Sequence, residues 1–410
     1  MERNTQTHLQ MRRPDFWRFS GRVKLGRVSR FPFPHTLKLA DLCYPQQADP
    51  ADAQRAFEAW RSEIVTREGA RGFVRARRPD TPDGVPNSTV SEGIAYGMLI
   101  AVLFDEQALF DDFYRYALCF ENKSGLMDWY IAPDGSHALG VGAATDSDED
   151  IAWALVMAHR QWGGQGALSE SYLECAKRQI DRVWECEVDH DRYPNMLLPG
   201  DDWRGQNVFN PSYFAPHQYR IFAEVTGNAG WLAVIDRGYE IVEASLNAQS
   251  GNRDNGLVPA WCDCDGTPVE AFPGALMNYQ YDSARLPFRI GQDWAASRDP
   301  RARAYLTRVS RFFAAVGADQ IVDGYALSGE PAPDPRAARP NPGSAVFVGS
   351  AAVGAMHDPA YQQFIDAAYA RVRTGTLLAR SRYYNHSWTV LSLLMLTGNL
   401  LDFPALVATG

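Results

Sequence analysis

The sequence predicts an all-α fold, and three observations predict it. Apolar residues recur at a 3.6-residue spacing in one segment after another, as they do where each segment buries one stripe of a helix. Strict alternation of β-branched residues, the mark of half-buried strands, is scarce and confined to short pieces. No composition shift or long linker divides the 410 residues. The Pro-rich stretch from Ser328 to Gly343 leaves too short a tail behind it for another domain, and reads as a loop on the rim of a single one.

In chain order, residues 1–44 are basic and Pro-punctuated, with Arg12, Arg13, Arg18, Arg22, Lys24, Arg27 and Arg30. They read as an irregular extension ahead of one domain over 45–410, and they hold no apolar core of a secretory signal. The first helix has Asp49 as N-cap, Pro50 at its first position, Phe57, Trp60 and Ile64 on one face, and Gly69 past its end. Further stripes are Leu109, Phe113 and Tyr116; Ile151, Leu155, Ala158 and Trp162; and Leu173, Ala176, Ile180 and Val183. Later ones are Trp231, Ile235, Tyr239 and Val242; Tyr305, Val309, Phe312 and Val316; and Tyr361, Phe364, Ala368 and Val372. Less regular segments start near Ser91, Pro211, Asp282, Ser344 and Asn385, which brings the total to about twelve helices.

Composition narrows the function classes. Lys and Arg number 40 against 49 Asp and Glu, a net charge of −9, so the basic stripe that binds nucleic acid is not expected. The longest apolar run, around Leu391–Leu396, is far short of the ~20 residues that span a bilayer, so no membrane partner is expected. Cys43, Cys119, Cys175, Cys186, Cys262 and Cys264 are too few for a disulfide scaffold. Cys262 and Cys264 also lack a second pair at zinc spacing, and no metal is expected.

Trp129, Trp203, Tyr213 and Trp261 sit in loops rich in Asp, Asn and Gly. Helices paired around a centre gather such loops at one end, and aromatic platforms beside carboxylates suit sugars, which offer C–H faces to rings and hydroxyls to fixed polar groups. A core role is the alternative for any single ring; their clustering favours binding.

Three carboxylates stand out by context. Glu92 opens a helix in Thr89-Val90-Ser91-Glu92-Gly93-Ile94, where small residues leave room for a ligand and the apolar run behind suits a carboxyl acting as an acid. A solvated first-turn charge is the plainer reading. The run Asp146-Ser147-Asp148-Glu149-Asp150 precedes an apolar stripe; Asp148 is the leading cap candidate, and Asp146 lies outside the helix and faces a cleft. A calcium loop is disfavoured because Ile151 stands where such a loop needs Gly. Asp282 starts a helix with Arg285 one turn on, either a cap with an i,i+3 ion pair or a carboxylate held ionised to take a proton from water. An acid and a base carboxyl together form the working pair of a glycosidase. No phosphate loop, His-Glu-x-x-His helix or Gly-x-Ser-x-Gly elbow competes.

These residues resemble glycoside hydrolase family 8, once called cellulase family D. The stretch Ala144–Trp162 is similar to that family's signature throughout, departing only at Ser147, on an expected loop, where Ala or Gly is usual. The segments from Thr89 to Met127, Asn210–Pro216 and Tyr383-Tyr384-Asn385 resemble its clostridial endoglucanases in order and spacing, and the resemblance spans residues 45–403. It implies an (α/α)6 barrel of six inner and six outer helices and an inverting reaction without metal or organic cofactor. Glu92 would be the general acid, Asp282 the general base, and Asp146 the residue that holds the −1 sugar distorted. Trp129, Trp203 and Tyr213 would contact sugars, and Tyr281, Arg285 and Tyr384 would orient the base and the −1 sugar. Arg380 and Ser381 fall where the endoglucanases can carry another aromatic pair.

The resulting expectation is a monomeric endo-β-1,4-glucanase acting on cellulose or mixed-linkage glucan, secreted or periplasmic because its polymer is met there. The same chemistry on xylan, lichenan or chitosan is the alternative, Asp282 speaking against the chitosanases that draw their base from another segment. From a different class, the alternative is a glycan-binding protein that has lost turnover.

Overall fold

A computed structural model describes residues 29–80, 84–332, 343–375, 382–400 and 402–403. Among them the helices are α1 (Pro50–Ile64), α2 (Ser91–Leu103), α3 (Gln107–Leu118), α4 (Thr145–Trp162), α5 (Tyr172–Glu187), α6 (Pro216–Thr226), α7 (Gly230–Ser245), α8 (Tyr281–Ala284), α9 (Leu286–Ser297), α10 (Pro300–Val316), α11 (Ala345–Ala355), α12 (Gln362–Val372) and α13 (Arg382–Leu396). Capping explains several starts. Asp49, Ser171 and Asp299 accept backbone N–H groups of the first turns of α1, α5 and α10, and Pro occupies the opening of α1, α6, α9 and α10.

Burial sorts the twelve longer helices into two layers. An apolar surface on every side marks a helix buried on every side; α11 is buried throughout, and α2 at every residue except Glu92. These two join α4, α6, α9 and α13 in an inner ring, in which each helix packs on the next and α13 closes back on α2. Outside it, α1, α3, α5, α7, α10 and α12 bury one stripe each, against α13, α2, α4, α6, α9 and α11 respectively. This is the expected (α/α)6 barrel. Close approach depends on small residues: a Cβ on Gly97 would lie 2.7 Å from the buried Phe113 ring of α3, and one on Gly349 would lie 2.1 Å from Ser392 Oγ of α13.

Two local expectations differ. Gly69 does not stop α1, because Val65 and Thr66 leave the helix as a short strand paired with residues 75–76, and Gly69 sits in the turn between them with φ of +63°. β-Branched residues favour that extended exit. The opening segment forms neither helix nor strand from Ser29 to Asp49, yet it packs on the barrel: Phe31 stacks on Phe403 at 4.6 Å, and Phe33 meets Phe104 at 4.3 Å with the rings tilted by 36°. A three-stranded antiparallel sheet of 89–90, 130–131 and 138–140 leads into α2. No described helix is long and apolar enough to cross a membrane.

Candidate active site

Glu92, the second residue of α2, is where the buried inner ring opens toward the loops, and its side chain is 20% exposed. Tyr96, one turn along, donates its hydroxyl to Glu92 Oε1 at 2.9 Å, Arg285 Nη1 donates to the same oxygen at 2.6 Å, and the Tyr383 hydroxyl donates to Oε2. Gly93 admits that tyrosine, since a Cβ there would stand 3.1 Å from Tyr383 Cε2. The space left by Gly93 and Gly97 is therefore filled by the rings of Tyr383 and Phe113, not kept open for a ligand as expected.

Asp146 is the second residue of α4 rather than a residue outside the helix, and it is buried. Its Oδ2 accepts from Arg285 Nη1 at 2.5 Å. Burial pushes its carboxyl up to about 7, with the Arg285 charge pulling the other way and the Glu92 charge adding to the rise. Ser147, the departure from the signature, also lies in α4 instead of a loop, and its hydroxyl meets that of Ser91 at 2.7 Å, tying the first turns of α2 and α4 together.

Asp282 lies in the single turn α8, whose N-cap is Gln280, not Asp282. Gln280 Nε2 donates to Asp282 Oδ2 at 3.0 Å, and the side chain stays 34% exposed. Pro287 starts a new helix directly after, so Arg285 sits between α8 and α9 and its side chain runs into the barrel, 1% exposed. The expected i,i+3 pair with Asp282 is its longest ion pair, at 3.8 Å. Bonds across the barrel to Glu92 and Asp146 are shorter, and Ser212 Oγ accepts from Nε and Nη2 at 3.2 and 2.9 Å. One guanidinium thus faces all three expected carboxylates.

Its face lies 5.1 Å from the Tyr213 ring. From there aromatics lead outward: Tyr213 to Trp261 at 6.1 Å, Trp261 to Trp203 at 6.1 Å with planes 13° apart, and Trp261 to the half-exposed Phe272 at 5.8 Å. Trp129 is 42% exposed, stacks on Tyr130, and is tethered to the start of α2 by the Ser91 N–H, which donates to its carbonyl at 2.9 Å. Tyr281 and Tyr384 pack edge to face at 5.8 Å, and Tyr384 lies 6.4 Å from Tyr96. Arg380 and Ser381 lie outside the described residues.

The remaining acids of α4 are interior groups, not caps; the cap position belongs to Ala144. Asp148 accepts from Gln179 Nε2 at 3.0 Å, Glu149 from the Tyr219 hydroxyl at 2.8 Å, and Asp150 from Arg289 through both oxygens at 2.5 and 2.8 Å. Burial pushes the carboxyls of Asp148 and Glu149 well up. Sequence reading gave no role to Tyr96, Tyr383, Ser212 or Asp323. Tyr96 had a signal, its place four residues beyond Glu92, and so had Ser212, which precedes Tyr213 in the segment Asn210–Pro216; Asp323 reaches the site from a distant loop and had none.

The family profile described as glycosyl hydrolases family 8 matches residues 31–398. Endoglucanase 2 of Ruminiclostridium josui is 38% identical over 92% of this chain and 78% of its own length. Endoglucanase A of Acetivibrio thermocellus is 40% identical over 84% of this chain and 68% of its own. Among solved structures, the apo β-1,3-1,4-glucanase from Paenibacillus sp. X4 superposes with a TM-score of 0.80 at 26% identity, covering 91% of this chain and 99% of that one.

Proposed function

Because the chain belongs to glycoside hydrolase family 8, we propose that it is an inverting endo-β-1,4-glucanase that cuts inside cellulose or mixed-linkage β-glucan. The observation that carries the reading is one buried side chain, Arg285, bonded to Glu92 and Asp146 and facing Asp282, at the inner end of a line of aromatic rings.

In this reading Glu92 gives its proton to the glycosidic oxygen as the C1–O bond breaks. Tyr96, Tyr383 and Arg285, already in place on its two oxygens, stabilise the carboxylate left behind, which favours the transfer. On the opposite face a water attacks C1 while Asp282, the most exposed of the three, takes its proton. Inversion needs those two carboxyls roughly 6.5–9.5 Å apart, with the water between them. Asp146, deep beside Arg285, holds the −1 sugar. Trp129, Trp203 and Tyr213 supply stacking faces, and Tyr281 and Tyr384 flank the base. The chemistry asks for no metal or organic cofactor. A monomer located outside the cytoplasm suits a polymer substrate.

The test is viscosity loss together with reducing-sugar release on carboxymethylcellulose. Wild type should thin the polymer early, and Glu92→Gln and Asp282→Asn should each lose at least about 100-fold in kcat. Release from xylan or chitosan alone would move the substrate and keep the chemistry. Full activity in either variant would overturn its assigned role.

A further inference from the structure

We propose that Asp323 is a positioning residue for the general base, fixing Tyr281 and with it the single turn that carries Asp282; this rests on the base role proposed for Asp282. Asp323 lies in the loop after α10 and is buried. Both its oxygens are engaged. Oδ2 accepts the Tyr281 hydroxyl at 2.6 Å, and Oδ1 accepts the Ser344 N–H at 2.6 Å, at the head of the inner helix α11. The next amide, Ala345 N–H, donates to Asn385 Oδ1 of α13 at 3.0 Å, so Asp323 is seated where two inner helices meet. Two residues on, Tyr325 exchanges both backbone hydrogen bonds with Tyr279, at 3.0 and 2.9 Å.

The same loop therefore grips the chain just before α8 through the backbone and inside α8 through Tyr281. Asp282 itself is held more loosely, by Arg285 at 3.8 Å and by Gln280, which belongs to the same turn. A four-residue helix makes few hydrogen bonds of its own, so its orientation depends on such outside anchors. Burial pushes the Asp323 carboxyl up to about 6, the hydrogen bonds from Ser344 and Tyr281 opposing the rise. Removing the anchor should let the base drift from the line of attack, and a misplacement of about 1 Å costs on the order of 100-fold.

The experiment measures kcat and KM on the best soluble substrate for wild type, Asp323→Asn, Tyr281→Phe, the double variant and Asp282→Asn, with melting temperatures alongside. The expected result is a fall in kcat of about 10- to 100-fold in each single variant with KM within about threefold, and a double variant no worse than the poorer single. Should Asp323→Asn fail to fold, Tyr281→Phe decides alone, because it deletes one oxygen and leaves the bond from Ser344 to Asp323 in place. Unchanged kcat, a change confined to KM, or losses that multiply in the double variant would overturn the proposal while Asp282→Asn is inactive. An active Asp282→Asn would instead overturn the base assignment, and this inference with it.

Discussion

Arg285 puts one positive charge among three carboxylates, so its geometry decides how that charge is shared. The forked, planar guanidinium reaches Glu92 and Asp146 through Nη1 and Ser212 through Nε and Nη2, with a face left over Tyr213. An ammonium keeps the charge but has neither fork nor face. Arg285→Lys should therefore fold and lose at least about 100-fold in kcat, because Glu92 and Asp146 lose their common anchor. Activity above about a tenth of wild type, in a variant with an unchanged circular dichroism spectrum, would mean that charge alone suffices. Burial also explains why the Asp146 carboxyl is pushed up to about 7: the Arg285 charge pulls it down, but the loss of water and the Glu92 charge outweigh that pull.

At the level of helices, what could be read from the sequence was what local physics decides. The outer helices announce themselves by single stripes such as Phe57, Trp60 and Ile64, because one face meets the core and the other meets solvent. The inner α2 and α11 have no polar face to give contrast, and so they read only as irregular segments. The same limit governed the acids of α4. Asp is a good cap in isolation, so Asp148 read as a cap and Asp146 as lying outside the helix. What overrides that preference is tertiary: Asp146 and Asp150, one turn apart on α4, face Arg285 and Arg289, equally spaced at the start of α9, the next inner helix but one. Seeing the match requires both helices in place. Glu92, Asp282 and the aromatic loops were legible because their motifs are local, whereas Tyr383 on Glu92 and Asp323 on Tyr281 reach them from far along the chain. Packing at this scale can be tested at Gly97, where a Cβ would press on the fully buried Phe113 ring at 2.7 Å. Gly97→Val should destabilise the fold by about 2 kcal/mol through overpacking, read as a lower denaturation midpoint. An unchanged midpoint would mean that α2 and α3 can separate at little cost.

Over the whole molecule, a ring of helices has to be closed, and the described segments that flank it in sequence help to do it. Asp402, near the end of the described chain, accepts from Trp153 Nε1 of α4 at 2.8 Å and pairs with His217 Nε2 of α6 at 2.6 Å. Phe403 beside it stacks on Phe31 and accepts from Arg160 Nη1 through its carbonyl at 3.2 Å, so two segments far apart in sequence are fastened to the neighbouring inner helices α4 and α6 at one place. Burial disfavours a charged imidazole at His217, but the Asp402 charge and hydrogen bond outweigh it and its pKa is raised. At Asp402 burial is likewise outweighed, by His217, and the pKa is lowered. A raised histidine pKa gives stability that is complete below about 6.5 and is lost as pH climbs through the raised value. A lowered carboxyl pKa gives stability that is complete above about 4 and is lost in acid. The pair therefore contributes most between about pH 4 and 6.5. Replacing His217 with Gln keeps a side-chain donor and removes the charge. Near pH 6 the variant should be less stable by on the order of 2 kcal/mol, below the cost of breaking a fully sealed pair. By pH 9, where the wild-type imidazole is increasingly neutral, the gap in melting temperature should have narrowed, because by then residue 217 gives Asp402 no charge in either protein and the Arg160 charge at 3.9 Å is common to both. A gap of constant size from pH 6 to 9 would mean that His217 fastens Asp402 through shape rather than charge, and equal stability at pH 6 would remove it from the closure of the ring.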